Sequence, residues 1–233
     1  MTAVEALWCV VPAAGSGRRF GGDVPKQYLP LAGKPMLVHT LERLAACREI
    51  AGLMIVLAAD DAHWPRLSNI ANKPVRTTIG GAERSASVLA GLKALPDDVG
   101  ADDFVLVHDA ARPCVSVRDI ARLVELGTSA GGALLASPLR DTLKRADADT
   151  HVAATEPRER LWRAQTPQMF RRGELSRALA AAHAQGLAVT DESLAMERAG
   201  HRPLLVEGAE DNIKVTTPAD LALAEFLLRR TEE

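Results

Sequence analysis

Four short runs of uninterrupted apolar residues, with helix-patterned segments between them, constrain this chain more than any other feature. They are Leu7 to Val11 (LWCVV), Leu53 to Ala59 (LMIVLAA), Phe104 to Val107 (FVLV) and Ala133 to Ala136 (ALLA). Short continuous apolar runs bounded by turn residues are the pattern of strands covered on both faces. Between them, Pro35 to Ala46 repeats apolar residues at Leu37, Leu41, Leu44 and Ala45, and Pro35 suits a first helical turn. Glu83 to Leu95 and Val117 to Leu126 read similarly, and Val75 to Ile79 and Leu204 to Val206 are further strand candidates. Gly173 to Ala184, Asp191 to Arg198 and Pro218 to Arg230 complete the expected helices. Alternation of this kind predicts an α/β fold, a mostly parallel sheet flanked by helices with right-handed crossovers.

Composition narrows the class. The chain has 233 residues, 47% of them hydrophobic and 25% charged, enough for a sizeable core without staples. The formal net charge is −2, so no global positive field exists to hold nucleic acid or an anionic membrane, and neither is expected as a partner. Phosphate recognition must come from a local site. No apolar stretch approaches membrane-spanning length, and the first apolar run lacks the basic flank of a signal peptide. Cys9, Cys47 and Cys114 form neither a disulfide framework nor a CxxC pair, which fits a reducing, cytoplasmic compartment.

Leu139 to Arg163 breaks the rhythm. It is dense in Arg, Lys, Asp and Glu and poor in apolar residues, so it cannot form a core of its own. A solvated loop and an extended arm against a second subunit both fit that composition.

Chemistry concentrates where apolar runs end. After the first comes PAAGSGRR, Pro12 to Arg19, whose small residues let a ligand approach the backbone and let N–H groups wrap an anion. It is not a Walker loop, and Gly15 and Gly17 supply only half of a dinucleotide fingerprint. An ordinary tight strand-to-helix turn would use the same residues. Arg18, Arg19 and Lys26 add a cationic cluster suited to a triphosphate, at the sheet edge where α/β folds bind ligands. A lone Lys26 would otherwise be a solvated surface lysine. After FVLV comes VHDAARP, which places Asp109 at the same edge as a ligand for Mg²⁺ or substrate hydroxyls, or as a turn residue. His108 reads as a packed histidine rather than a base. GGAERSAS, Gly80 to Ser87, is a second glycine turn opening a helix whose N-terminus can hold an anion, and Glu83 suits that helix's first turn. Late in the chain, DNIKVTT places Lys214 between Ile213 and Val215, predicting a short edge strand that fixes its direction.

These motifs carry a resemblance. PAAGSGRRF and PKQYLPLAGKPML look like the opening of the nucleotidyltransferases that make activated sugars and polyols. GGAERSASVLAGL, VHDAARP, TPQMF (Thr166 to Phe170), TDES (Thr190 to Ser193) and EGAEDNIKVTTPADL narrow it. Over about residues 7–228 the chain resembles the 2-C-methyl-D-erythritol 4-phosphate cytidylyltransferase family, of the non-mevalonate route to isoprenoid precursors. The resemblance implies a Rossmann-like nucleotidyltransferase fold, a single domain over 1–233 with a protruding dimerisation arm at about 139–163. It implies that CTP and the polyol phosphate give the diphosphocytidyl product and pyrophosphate.

By the same resemblance, Arg19 and Lys26 stabilise the five-coordinate transition state, and Arg158 and Lys214 position the methylerythritol phosphate. Pro12, Ala13, Ala14, Gly15, Ser16 and Gly17 line the nucleotide site with Gly80, Gly81, Arg84 and Ser87. Asp109 and Ala110 flank the ribose and phosphates, and Arg112, Thr142 and Thr166 lie near the polyol. Mg²⁺ is held mainly by the CTP phosphates, with no protein metal site. Family members are homodimers with interlocking arms, so Thr142 and Arg158 are expected to reach the neighbour's site. Many members carry an acidic residue where this chain has Ala82, so contact there falls to the backbone. The second domain of bifunctional relatives is not expected. A ribitol 5-phosphate cytidylyltransferase, with the same CTP site and another polyol pocket, is the nearest alternative, although HDAARP favours methylerythritol phosphate. A catalytically silent nucleotide-binding protein is a further alternative, against which both Arg19 and Lys26 argue.

Overall fold

In the computed structural model, which describes residues 7–15 and 24–230, the four apolar runs become neighbouring parts of one sheet. In chain order the strands are β1 (Leu7–Pro12), β2 (Pro30–Leu31), β3 (Lys34–Pro35), β4 (Ile50–Leu57), β5 (Asn69–Ile70) and β6 (Lys73–Ile79). They continue with β7 (Phe104–Val107), β8 (Ala133–Pro138), β9 (Leu143–Ala146), β10 (Val152–Glu156), β11 (Trp162–Arg171) and β12 (Leu204–Glu207). The helices are α1 (Met36–Ala45), α2 (Arg84–Lys93), α3 (Val117–Ala130), α4 (Arg172–Ala184), α5 (Glu192–Arg198) and α6 (Pro218–Arg230). The eight-stranded sheet runs β12-β8-β11-β7-β1-β4-β6-β5.

Period-2 alternation in β1 divides the core into two layers. Leu7, Cys9 and Val11 face one side, with Leu37, Leu41 and Leu44 of α1 and Ile120, Leu123 and Val124 of α3. Trp8 and Val10 face the other, with Val88 and Leu92 of α2, Leu175 and Leu179 of α4, and Met196 of α5. Each such Leu, Ile or Val contributes roughly 1.5–3 kcal/mol when fully buried. One glycine sets the spacing of α2: a Cβ on Gly91 would lie 2.5 Å from Val10 Cγ1 and 2.8 Å from Val56 Cγ2, so the helix approaches the sheet closely only because Gly91 has none.

The chain crosses from β1 to β4 on one side and returns to β7 on the other, all three parallel. That is a topological switch point, and it opens a crevice beyond the carboxyl end of β1.

Several boundaries differ from the sequence reading. Pro35 precedes α1 in an extended conformation (ψ 138°) rather than starting it. α3 runs on to Ala130 because Ser116 caps its start and Gly131, at φ 76°, supplies the left-handed stop. The expected edge strand at Ile213–Val215 does not form: Val215 N–H donates to Ala111 O at 2.8 Å, but residues 212–216 join no sheet.

Two strands depart from the parallel direction: the short edge strand β5 pairs antiparallel with β6, and β11 pairs antiparallel with both β7 and β8. The polar Gln165, Thr166 and Gln168 of β11 hide its strand pattern, although all three are buried and hydrogen-bonded. Pro167, which lacks an N–H and follows a cis peptide bond, falls in the register shift between Ala164 and Gln168.

The arm is a two-stranded hairpin, β9 against β10, rather than a loop. Nearly all of it is solvent-exposed, as a segment without core residues must be. Its expected end at Arg163 is too late, because Trp162 and Arg163 already pair with Pro138 and Ser137 in the main sheet.

Candidate active site

The crevice is a cavity of about 570 Å³, and it gathers segments far apart in the chain. Pro12, Ala13, Ala14 and Gly15 form one wall. Gln27, which the sequence reading passed over, fixes that wall: its Nε2 donates to Ala13 O at 2.6 Å and to Gly15 O at 3.0 Å. Ser16, Gly17, Arg18 and Arg19 lie outside the described residues. Gly81, Ala82, Glu83, Arg84 and Ser87 form the opposite wall, at the start of α2. Gly80 does not line the cavity but permits its shape: a Cβ there would lie 2.6 Å from Ser87 Oγ and 2.8 Å from Ala14 Cβ. The two glycine-bearing walls approach each other only because that Cβ is missing.

Asp109, Ala110 and Ala111 form the floor after β7, and Lys26, Lys214 and Thr216 close the rim. Lys26 Nζ donates to Val215 O at 3.0 Å, which ties the 3-10 turn Lys26–Tyr28 to the loop carrying Lys214. Thr216, a hydroxyl residue of the DNIKVTT motif with no site role expected for it, also lines the cavity. Its N–H and hydroxyl both donate to Asp220 Oδ2, at 2.8 and 2.7 Å, so α6 anchors that loop.

Asp109 is the electrostatic centre. It is 7% exposed and pairs with Lys214 Nζ at 2.9 Å, Arg84 Nε at 3.0 Å and Arg112 Nε at 3.4 Å. Burial alone would raise its carboxyl, but Arg84, Lys214 and Arg112 outweigh burial and hold it well below the usual carboxylate range. Asp109 therefore stays ionised and keeps the surrounding cations in place. Arg84 also engages Glu192, a residue with no role in the sequence reading, at 2.6 Å.

Arg112 and Thr166 sit behind this centre and do not line the cavity. Arg112 Nη1 donates to Asn212 O at 2.6 Å, bracing the loop before Lys214. Thr166 Oγ1 accepts from Asp109 N–H at 3.0 Å and contacts His108 Nδ1 at 3.0 Å. Thr142 and Arg158 are solvent-exposed beside the arm, away from the cavity, and Arg158 donates to Arg140 O. Within this chain, then, Lys26, Lys214, Arg84 and Asp109 come together with the small-residue walls, and Thr142 and Arg158 do not join them.

His108 is fully buried, as expected of a packed histidine. Its Nε2 faces Arg112 O at 3.1 Å, so Nε2 carries the proton and the Thr166 hydroxyl donates to Nδ1. Burial pushes its pKa down to about 4. The unfolded chain, near 6.5, then binds the proton first. Stability from this group is complete above pH about 6.5 and is lost as pH falls towards 4, by about 3 kcal/mol in all. Urea unfolding from pH 7 to 4 is expected to show that loss, and His108→Gln is expected to flatten it. An unchanged pH dependence in the variant would remove His108 as its source.

Among the described residues no three His, Cys, Asp or Glu side chains gather to hold a metal ion. The cavity's carboxylates are Asp109, engaged in three ion pairs, and Glu83 at the mouth. A hard divalent cation wants several oxygens. This donor set fits one that brings most of its oxygens with a polyphosphate. The arrangement as a whole suits anionic phosphates: small-residue walls, three cationic side chains and one fixed carboxylate.

Comparisons with known proteins agree with that chemistry. Residues 7–230 match the family described as 2-C-methyl-D-erythritol 4-phosphate cytidylyltransferase. The chain is 62% identical over 226 residues to the protein of that name from Stenotrophomonas maltophilia (strain K279a), across 97% of each. Among solved structures, a 4-diphosphocytidyl-2C-methyl-D-erythritol synthase aligns with TM-score 0.82 and 36% identity, over 96% of this chain and 99% of the other. The Francisella tularensis 2-C-methyl-D-erythritol 4-phosphate cytidylyltransferase aligns with TM-score 0.81 and 33% identity, over 96% and 100%.

Proposed function

The chain belongs to the 2-C-methyl-D-erythritol 4-phosphate cytidylyltransferase family, and from that premise we propose how its cavity carries out the transfer. The enzyme joins CTP and 2-C-methyl-D-erythritol 4-phosphate to give 4-diphosphocytidyl-2-C-methyl-D-erythritol and pyrophosphate. The observation that carries the residue assignment is the convergence of Lys26, Lys214 and Arg84 on a cavity beside the glycine-rich turn.

A phosphate oxygen of the polyol attacks the α-phosphorus of CTP in line, and the bond to pyrophosphate breaks. The nucleophile is already an anion, so no general base is needed. Catalysis is then positioning and neutralisation of charge. Lys26, steered by the Val215 carbonyl, faces the phosphates, and Arg19 is assigned the same neutralising role. The small residues from Pro12 to Gly15, with Gly81 and Ser87, leave room for cytosine, Ser16 and Gly17 are assigned to the same nucleotide site, and Ala82 offers only its backbone. Asp109 orients Lys214 and faces the ribose and polyol hydroxyls. Asp109 would be the buried carboxylate available to a Mg²⁺ carried mainly by the CTP phosphates, and that ion would supply further neutralisation of phosphate charge.

Arg112 and Thr166 act through Asp109 rather than by touching the polyol. Arg158 and Thr142 are assigned to the polyol phosphate of a second subunit, which makes the working unit a homodimer of single-domain chains joined by their arms. Exposed apolar residues on and beside the arm, Val152 at 65%, Leu161 and Trp162, support that reading. Three free cysteines support a cytoplasmic location. No described helix is long and apolar enough to cross a membrane.

The test is pyrophosphate release with CTP and Mg²⁺, with methylerythritol 4-phosphate and ribitol 5-phosphate in parallel, on a sample whose mass is followed by light scattering. Release with the first substrate only, from a dimer, is expected. Release with ribitol 5-phosphate only would overturn the polyol assignment, and a fully active monomer would overturn the shared site.

A further inference from the structure

Glu192 is a carboxylate with 0% exposure that no step of the transfer uses. It opens α5, and both of its oxygens accept from Arg84: Oε1 from Nη1 at 2.6 Å and Oε2 from Nη2 at 3.1 Å. The Nε of the same guanidinium donates to Asp109 Oδ1 at 3.0 Å. Two fixed anions therefore hold a planar fork along two of its edges, while Arg84 still lines the cavity.

Glu192 is itself anchored without the help of Arg84. Asp191 Oδ1 caps α5 by accepting Leu194 N–H at 3.0 Å. Gln168, on β11 inside the sheet, donates its Nε2 to Asp191 Oδ2 at 2.9 Å and accepts Ser193 N–H at 2.7 Å. The TDES motif is thus latched to the antiparallel strand on both sides of Glu192. An arginine side chain otherwise has many rotamers to lose when it binds a ligand. Here one carboxylate, held in place by the Gln168 contacts on either side of it, removes that freedom in advance.

We propose that Glu192 is a positioning residue for the nucleotide, holding the Arg84 guanidinium in the single orientation that CTP meets in the cavity. The proposal rests on the reading of the cavity as the CTP site. Without the Glu192 charge, Arg84 keeps only its Asp109 contact and pivots. CTP must then order it on binding, whereas Lys26 and the in-line chemistry are untouched. The cost therefore falls on ground-state binding of one substrate.

Glu192→Gln keeps the shape and removes the charge. It is expected to raise KM for CTP about tenfold, with kcat within about threefold and KM for the polyol phosphate within about twofold. In an Arg84→Met background the same substitution is expected to change KM for CTP less than about twofold, because the group it positions is gone. Glu192→Asp, which keeps the charge but withdraws it by one methylene, is expected to raise KM for CTP about threefold, and it serves if the Gln variant does not fold. An undiminished KM effect in the Arg84→Met background would overturn the proposal. So would an unchanged KM for CTP in a folded Glu192 variant with lowered Tm, which would make Glu192 purely structural. A wild-type enzyme that shows no CTP-dependent release of pyrophosphate would instead overturn the nucleotide reading on which the proposal rests.

Discussion

Lys26→Ala is expected to lower turnover by roughly 10³-fold while CTP binding stays within an order of magnitude, as for other cationic phosphoryl clamps. The asymmetry follows from geometry. The cavity walls proposed to hold the nucleotide are mostly small residues, Pro12 to Gly15 on one side and Gly81, Ala82 and Ser87 on the other. Those contacts survive the substitution. What is lost is a point charge aimed by the Val215 carbonyl, 3.0 Å from Nζ, and needed most when charge builds on the α-phosphoryl oxygens. Single-turnover kinetics beside calorimetric titration with CTP would separate the two effects. A turnover loss below about tenfold would take Lys26 out of that role.

Asp109→Ala is expected to be costly in a different way, because it damages both fold and site. Removing one member of a buried charge cluster leaves the others uncompensated, at about 3–5 kcal/mol. The lower end applies here, since Lys214 is 40% exposed and recovers some hydration. Activity should fall further than stability suggests, by roughly 10²-fold or more in kcat/KM for the polyol phosphate, because Lys214 and Arg84 lose the anion that aims them. Asp109→Asn keeps the volume and should recover part of the stability but little of the activity. Unfolding in urea and steady-state kinetics on the same preparations test this. Wild-type stability in Asp109→Ala would mean that the ion pairs do not hold the floor of the cavity.

Which parts of this design could be read from the residues depended on the range of the interaction. LWCVV and FVLV announce themselves as buried strands because every residue in them is apolar, and β1 and β7 are those segments almost to the residue. PAAGSG and GGAERSAS announce a close backbone approach because only small residues allow one, and a Cβ on Gly80 would lie 2.6 Å from Ser87 Oγ and 2.8 Å from Ala14 Cβ, so the two turns meet only with glycine there. Lys214 was singled out for its neighbours, and it does reach the cavity, though from a loop rather than a strand. TPQMF was visible as a motif but not as part of an antiparallel strand, because Gln165, Thr166 and Gln168 are polar in sequence and become core residues only once β7, β8 and α5 supply hydrogen-bond partners. Gln27 and Glu192 stand inside the quoted motifs PKQY and TDES, but nothing in their local sequence shows which groups they bind.

The alternation of strand and helix and the small-residue walls of the cavity are thus written in the residues, because they follow from continuous apolar runs, a 3.6-residue period and side-chain volume within one segment. The electrostatic centre exists only in the folded chain. Arg84 and Glu192 meet across 108 positions of chain, and Arg84 and Asp109 across 25. A charge pair's strength depends on the burial and exact separation of its members, and both arise only when distant segments pack together.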